Sequence, residues 1–534
     1  MRSRPYVFLF VIMALSGWAF SPAFSQARPD GSDFLVNGYT TGKQRDPGVA
    51  RGDDGTFLVV WRGSGPTSGN AIFGRRMDQG GQFLGSEFQI SSWTTAISPQ
   101  PPVVASRGAE GFVVVWEDSV LGGPQQEVLA VLLNATGARL GVEFSVNEDP
   151  NGDQGHPRVA GRDDGGFVVV WEDESGLDGD GYGIRGAIFD STGAPLASEL
   201  QVNSYTTGSQ SGPDVGLSGS GEFLVAWTSI DQDGDDRGIF AQAFEADGDP
   251  SGGEFQANTF MTAIQYDAQV GADRSGNFVV VWSDYNSSYS HDGSNSGIFA
   301  QFADASGALV GPEFQVNTYT IGPQRFPSVV MNEHGEAVIS WISSAQDGDF
   351  WGVFAQRYDP SGAPRGEEFQ VNTYTTGAQL HPALAMEDSG EFVVVFEDRN
   401  GGYTDYDVYA RRYEGPGPSM TSHLDGDMVD CSDPLNSRPS FAWSTDNYDQ
   451  FKIFMGSSPG FEKGTRVTSG DKWIKTDSWM PNRKKWKKAC KKALDASPLS
   501  PLLYVSILAR DNDLSKSSPS RQTMVDAIEL DVTP

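Results

Sequence analysis

Seven aspartates make this chain's best case for metal chemistry. They lie in Asp178-Gly179-Asp180, Asp233-Gly234-Asp235, Asp347-Gly348-Asp349 and Asp292-Gly293-Ser294. In each stretch a glycine follows the first Asp by five residues: Gly183, Gly238, Gly352 and Gly297. Hard carboxylate oxygens on a glycine-bent loop suit Ca²⁺, and glycine permits the sharp turn that points them inward. The same tripeptide also tips ordinary hairpins, and the EF-hand ligand string ending in Glu is absent. Two readings therefore stand side by side. Either Asp178, Asp180, Asp233, Asp235, Asp292, Asp347 and Asp349 hold calcium, or they are solvated turn residues.

A second set pairs aromatic and amide groups. Tyr39 precedes Gln44, Tyr205 precedes Gln210 and Tyr374 precedes Gln379, each across a Thr-Thr-Gly turn. Gln154, Gln265 and Gln324 occupy equivalent places, and Ser98 stands where a seventh Gln would be. Thr and Asn bond to turn backbone, so a recurrent Gln reads first as a tie between neighbouring units. A ring of Gln and Tyr lining a sugar-binding face is the functional alternative.

Other chemistries find little support. Glycosidase action needs two suitably placed carboxylates, and Asp and Glu are too abundant here for candidates to be informative. No Gly-x-Ser-x-Gly elbow sits between a strand and a helix. Among the five histidines only His156 and His381 match each other in position, just before the prolines Pro157 and Pro382, and no zinc-binding spacing links any of them.

These residues ride on a repeat. Trp61, Trp116, Trp171, Trp227, Trp282, Trp341 and Phe396 recur at steps of 55, 55, 56, 55, 59 and 55 residues. Each copy reads as four short strands. In the third copy these are Pro157–Ala160, Phe167–Trp171, Gly183–Phe189 and Glu199–Val202. The second is a continuous run such as Phe-Val-Val-Val-Trp, which implies burial on both faces. No copy has room for a crossover helix. The fold class is therefore all-β, and seven four-stranded copies predict a seven-bladed β-propeller. Asp33-Phe34-Leu35-Val36-Asn37 matches Glu368-Phe369-Gln370-Val371-Asn372, a fourth-strand sequence without its first three strands. The seventh copy lacks just that strand, so residues 33–37 are expected to close the ring and cover an open edge. The Trp column reads as packing between blades.

The strings EFQVN, YTTG, FVVVW and GIFAQ resemble those of bacterial secreted β-propeller repeat proteins, over about residues 33–413. That resemblance implies fold and surface location, not a reaction. Beyond a linker at 415–434, strand cores at 439–443, 450–455, 502–510 and 525–532 resemble a fibronectin type III-like sandwich over 435–534. Within it, Trp486, Ala489, Cys490, Ala493 and Leu494 keep helical spacing beside six lysines, which predicts a short amphipathic helix at 481–494. Cys431 and Cys490 are the chain's two cysteines and are expected to form a disulfide in an oxidising compartment.

That compartment follows from the N-terminus. Arg2 and Arg4, the apolar stretch Tyr6 to Phe20 and Ala23-Phe24-Ser25 read as a signal peptide over 1–25. The stretch is short for a membrane span. The mature chain is expected to be secreted, periplasmic or attached to the cell surface, with no transmembrane segment after cleavage. Formal charge is -32 overall; residues 1–414 hold 22 Lys and Arg against 55 Asp and Glu. Such a surface does not suit phosphate contacts, which argues against nucleic acid as a partner. The leading reading is a binding or scaffold protein for a cell-surface protein or glycan, using one propeller face with or without calcium. The alternative is a secreted polysaccharide-acting hydrolase or lyase with an acidic central cavity.

Overall fold

The computed structural model describes residues 27–415, apart from 66–68, 93–99, 119–124, 150, 263, 286–291, 294 and 400–404, and beyond 415 the backbone of eight short strands. The expected signal peptide at 1–25, most of the 415–434 linker, the 481–494 helix, Cys431 and Cys490 lie outside the described residues. The described residues are strands, turns and loops, and no helix among them is long and apolar enough to cross a membrane.

One compact unit spans Gln26–Pro416. Its third copy shows the pattern. Gln154–Gly161, Phe167–Asp173, Gly183–Phe189 and Pro195–Gln201 pair antiparallel in that order. The other copies repeat it, beginning at Gln44–Arg51, Val103–Ser106, Gln210–Leu217, Ile264–Ala272, Gln324–Met331 and Gln379–Met386. A single parallel bridge, Arg237 to Ile264, joins the fourth and fifth copies into one eight-stranded sheet. The seventh copy supplies Gln379–Met386, Phe392–Asp398 and Asp407–Glu414, and the next strand comes from the other end of the unit: Phe34 pairs with Ala410 and Leu35 with Tyr409.

The sequence explains why the sheets stack. Runs such as Phe112–Asp118 are buried along their whole length, because both faces of the second strand meet a neighbouring copy. All six tryptophans of the column are at most 1% exposed. Trp171 shares a core with Val113 and Val115 of the second copy, and Trp61 shares one with Val393 and Val395 of the seventh. Val36, fully buried, belongs to that last core. Each first strand lies against the first strand of the following copy, and Gln379–Met386 lies against Gln44–Arg51.

A carboxylate clasp repeats between copies. The backbone N–H just past the end of a fourth strand would be left without a partner. It instead donates to an acidic side chain in the fourth strand of the next copy. Glu148 N–H reaches Glu199 at 2.6 Å, Ser204 reaches Glu254 at 2.6 Å, Thr259 reaches Glu313 at 2.6 Å and Thr318 reaches Glu368 at 2.6 Å. Ser92 makes the same bond to Glu143, and Gly38 to Glu87 at 2.7 Å. For the sixth copy the acceptor is Asp33, 2.9 Å from Thr373 N.

The second unit has a six-stranded sheet. Gln450–Gly456, Leu502–Arg510 and Ile528–Thr533 are its middle, Met428–Asp430 runs parallel to Ile528–Thr533, and Arg466–Thr468 and Thr523–Met524 complete it. Phe441–Ala442 pairs with Ser478–Trp479 in a separate ladder.

Deleting residues 33–37 removes a ladder partner, the Val36 side chain and the Asp33 clasp together. The unfolding free energy should fall by about 3 kcal/mol or more. A five-residue deletion in the exposed turn around 231–236 should cost far less. Denaturant unfolding of both variants is the measurement, and equal losses would contradict the role given to the N-terminal strand.

Candidate functional site

Six of the seven copies anchor their first loop with one Asn and one Gln. Asn203 accepts from the Ile184 N–H at 2.7 Å and donates to the Tyr205 carbonyl at 2.9 Å; Asn37, Asn147, Asn258, Asn317 and Asn372 make the corresponding bonds. The Gln opens the first strand instead of lying in the loop. Gln44, Gln210 and Gln379 are at most 1% exposed. Gln44 Oε1 accepts from Trp61 Nε1 at 3.0 Å, whereas Gln210 and Gln379 accept from Asn203 at 2.9 Å and Asn372 at 3.0 Å. Their amide N–H groups reach the carbonyls of Ser64, Thr207 and Thr376. These amides are thus engaged inside the scaffold. The companion aromatics differ: Tyr39 and Tyr205 are half-buried and Tyr374 is 48% exposed.

Two residues past the Gln, the first strand bulges. Register shifts occur there in six copies. The bulge residue has positive φ: Asp46 at 52°, His156 at 49°, Gly212 at 61°, Asp267 at 58°, Phe326 at 53° and His381 at 50°. For a non-glycine residue this conformation costs on the order of 1–3 kcal/mol and often marks a site. The bulges sit at equivalent places on strands that lie side by side, so they bring six residues of four types to one end of the unit.

Glutamates on the second strand secure three of these bulges. The residue after the Trp or Phe is Glu117, Glu172 or Glu397, and it accepts the bulge N–H of the next copy. Glu117 takes His156 N at 3.1 Å, Glu172 takes Gly212 N at 2.5 Å and Glu397 takes Asp46 N at 3.2 Å. The bulge histidines lean on the glutamates of their own copies. His156 Nδ1 is 3.0 Å from Glu172, and His381 Nδ1 is 3.3 Å from Glu397 and 3.2 Å from Asp46. The match between His156 and His381 is visible in the sequence. Their shared glutamate escaped notice, although it is there to find: both copies with a bulge His carry Glu after the column aromatic.

Electrostatics separate these groups. Burial opposes charge on His381, but Glu397 and Asp46 outweigh it and hold the imidazole above its ordinary pKa. Burial likewise acts to raise Glu397, yet His381, the Asp46 N–H and Arg45 keep it below the usual glutamate value. Asp267 goes the other way. Desolvation pushes it up to about 6 against the opposing fields of Arg158, Arg325 and His381. Its Oδ2 is shut off from solvent without a hydrogen-bond partner. Asp214 is also raised to about 6 by burial, although Arg158 and the Val270 N–H favour its charged form.

Asp46, His381 and Glu397 place one ligand atom each within 4.8 Å of one another, the one such trio among the described residues. Arg62 is ion-paired to Asp46, and Arg45 and Arg399 flank Glu397 at 3.9 and 3.5 Å. Three guanidinium groups already balance two carboxylates, which works against a divalent cation there.

The DGD loops lie apart from this end's inner residues. Asp180 Oδ2 accepts from Gly208 N at 3.1 Å and Asp349 Oδ2 from Gly377 N at 2.9 Å, so these carboxylates tie two loops of neighbouring copies. Asp178 and Asp347 accept from Asn203 and Asn372, and Asp233 from Gln256. Asp178, Asp233 and Asp347 also accept the N–H two residues on, that of Asp180, Asp235 and Asp349. Asp292 is half-buried against Gly297, the small residue its loop requires.

No family model matches the chain, and no curated protein matches it. Solved structures do. A protein of unknown function from Dyadobacter fermentans matches at 10% identity, covering 73% of this chain and 99% of that one, with TM-score 0.43. An α-L-arabinanase from Penicillium chrysogenum matches at 12% identity over 71% and 98%, TM-score 0.39. A sialidase from Streptococcus pneumoniae matches at 10% identity over 73% and 70%, TM-score 0.39.

The Gln and the Tyr of one loop should respond differently to truncation. Gln379→Ala removes one acceptor of the Asn372 amide and the donor to the Thr376 carbonyl, and should cost about 1–3 kcal/mol. Tyr374→Ala, at an exposed ring, should stay within about 0.5 kcal/mol. Urea unfolding of the two variants tests this.

Proposed function

We propose that residues 33–414 form a seven-bladed β-propeller closed by residues 33–37, followed by a fibronectin type III-like domain at 435–534. The bulged end of its axis is the acting face of a secreted polysaccharide-acting hydrolase. What supports the ring is the run of clasps from Gly38–Glu87 to Thr373–Asp33, together with the first strands lying side by side from copy to copy. What carries the enzymatic reading is Asp267. A carboxyl that holds its proton up to about pH 6, on a strained bulge beside Arg158, Arg325 and His381, is suited to protonate a glycosidic oxygen. His381, whose pKa Glu397 and Asp46 hold above its ordinary value, acts as a donor to sugar oxygens. Phe326, 42% exposed, packs against its ring at 5.8 Å and offers a face to a sugar.

A second reading, a glycan- or protein-binding scaffold, draws on apolar side chains left exposed: Ile321 at 71%, Phe350 at 62% and Tyr374 at 48%. Asp267→Asn separates the two. As an enzyme, the protein should release reducing ends from at least one polysaccharide, and the variant should lose on the order of 100-fold in rate while still binding. Binding without turnover by the wild type would favour the scaffold.

The same variant has a stability signature. Folding raises the Asp267 pKa from 3.8 to about 6, so the native state holds a proton that the unfolded chain releases. Stability contributed by this group therefore falls as pH rises from about 4 to 6, and the penalty is complete above that. Asn tolerates positive φ and carries no charge. Asp267→Asn should accordingly stabilise the protein at pH 7, by up to about 3 kcal/mol, and leave it nearly unchanged at pH 4. Loss of activity with gain of stability is what a burdened catalytic carboxyl predicts.

That the DGD aspartates act as turn ties, not as calcium ligands, is a separate proposal. A cation would have to displace the N–H donors now held by Asp180 and Asp349. Calorimetric titration of the mature protein is expected to show no heat and no rise in thermal midpoint. Uptake with stabilisation would assign the ion to these loops.

A further inference from the structure

The seam between the seventh and first copies reverses the sign of the unit's charge. Tyr406 is buried, and three cations surround its ring: Lys43 Nζ at 5.3 Å, Arg45 Cζ at 4.8 Å and Arg399 Cζ at 4.7 Å from the centroid. One carboxylate, Glu397, faces both arginines, at 3.9 and 3.5 Å from their Nε atoms, and it is shared with His381. Neither Arg Nε makes a hydrogen bond. Among the described residues no carboxylate pairs with Lys43, which is exposed. The side chains of Arg45 and Arg399 are 28% and 26% exposed, although their Nε atoms are buried.

The repeat supplies its own control. Lys43, Arg45, Arg399 and Tyr406 correspond to Ser209, Ser211, Glu174 and Tyr182 where the third copy meets the fourth, and to Ala378, Leu380, Ser344 and Trp351 where the sixth meets the seventh. The aromatic position recurs without the cations, so the scaffold does not demand them. Three positive groups against one shared carboxylate, in a stretch of chain carrying 22 basic and 55 acidic residues over 1–414, leave a local excess of donors. A planar guanidinium fork matches a carboxylate or sulfate oxyanion.

We propose that Lys43, Arg45 and Arg399, arrayed about Tyr406, form the site that binds an oxyanion on an acidic glycan. This rests on the carbohydrate reading above and names its substrate class. The anionic sugar is held at the seam, next to the bulge end that carries His381.

The test uses the mature full chain and calorimetry with three probes of equal length: an oligogalacturonate, a sulfated neutral oligosaccharide and the unmodified neutral oligosaccharide. An oxyanion-bearing probe should bind at least about 10-fold tighter than the neutral one, and added salt should erode that preference. Whether the uronate or the sulfate shows it assigns the anion. Arg399→Met and Arg45→Met should each remove most of the preference, and Arg399→Lys should restore part of it. Lys43→Met, at an exposed position, gives a smaller loss and serves if an Arg variant fails to fold. Equal affinity for all probes, no binding by any, or an anion preference unchanged in folded variants overturns the proposal. Reducing-end release, measured separately with Asp267→Asn, tells its failure from that of the hydrolase reading. Cleavage of neutral chains with no anion preference sinks only the seam site, and anion binding that depends on these arginines without cleavage sinks only the enzyme.

Discussion

A fourth strand ends with a backbone N–H that has nowhere to go within its own copy. The sheet has no further strand to accept it, and the loop that follows turns away toward the next copy. An acidic residue four places before the next copy's Asn solves this, and the solution joins copy to copy: Glu148 to Glu199, Thr259 to Glu313, Thr318 to Glu368. Because every copy both gives an N–H and provides a carboxylate, a linear array would leave one of each unmatched at its ends. Asp33 accepts from Thr373, and Gly38 donates to Glu87. The N-terminal segment therefore carries both halves of the bond, which is why it resembles a fourth strand and not an extension of some other loop.

The same economy of anchoring shapes the bulged end. The Asn and Gln of each copy fix the loop and the start of the first strand by hydrogen bonds to backbone, so they serve equally well whatever the neighbouring side chains are. Two residues further on the strand must take up an extra residue, and the backbone there is forced to positive φ. Glu117, Glu172 and Glu397 stabilise three of these turns through the N–H. With the backbone fixed from outside, the side chain at the bulge is free to be Asp, His, Gly or Phe. A repeat built this way keeps its frame constant and varies its chemistry at one column.

That division also explains what could be read from the chain. The strand order, the Trp column and the N-terminal fourth strand follow from periodicity and burial, and residues 34–35 pair with 409–410 as the match with 368–372 implies. The Gln column reads in the sequence as a loop residue tying turns, and the structure buries it at the start of the first strand. Nothing local marks the first strand as starting at Gln44 or Gln379, because a bulge before proline interrupts the alternation that defines a strand. The DGD and Tyr-Gln motifs drew attention because they repeat. The site-bearing residues, Asp267, His381 and Phe326, do not, and Asp267 is one acid among many until its burial is known. Its raised pKa comes from desolvation by neighbouring copies, which no stretch of sequence displays.

Seen from the bulge column, repetition and function pull in opposite directions. A group present in every copy answers a need that every copy has, such as an orphan N–H or a loop to be tied. A ligand approaching one end of the unit meets the positions where copies disagree. Asp267, Phe326 and His381 come from three successive copies, and Lys43, Arg45 and Arg399 come from the junction of the last copy with the first. At that junction Lys43 and Arg399 stand where the meeting of the third and fourth copies has Ser209 and Glu174. Burying one tyrosine under cations costs desolvation that a Trp351–Leu380 contact avoids. A cluster that the frame does not require, and that opposes the charge of the surface around it, is accounted for by something negative that arrives from outside.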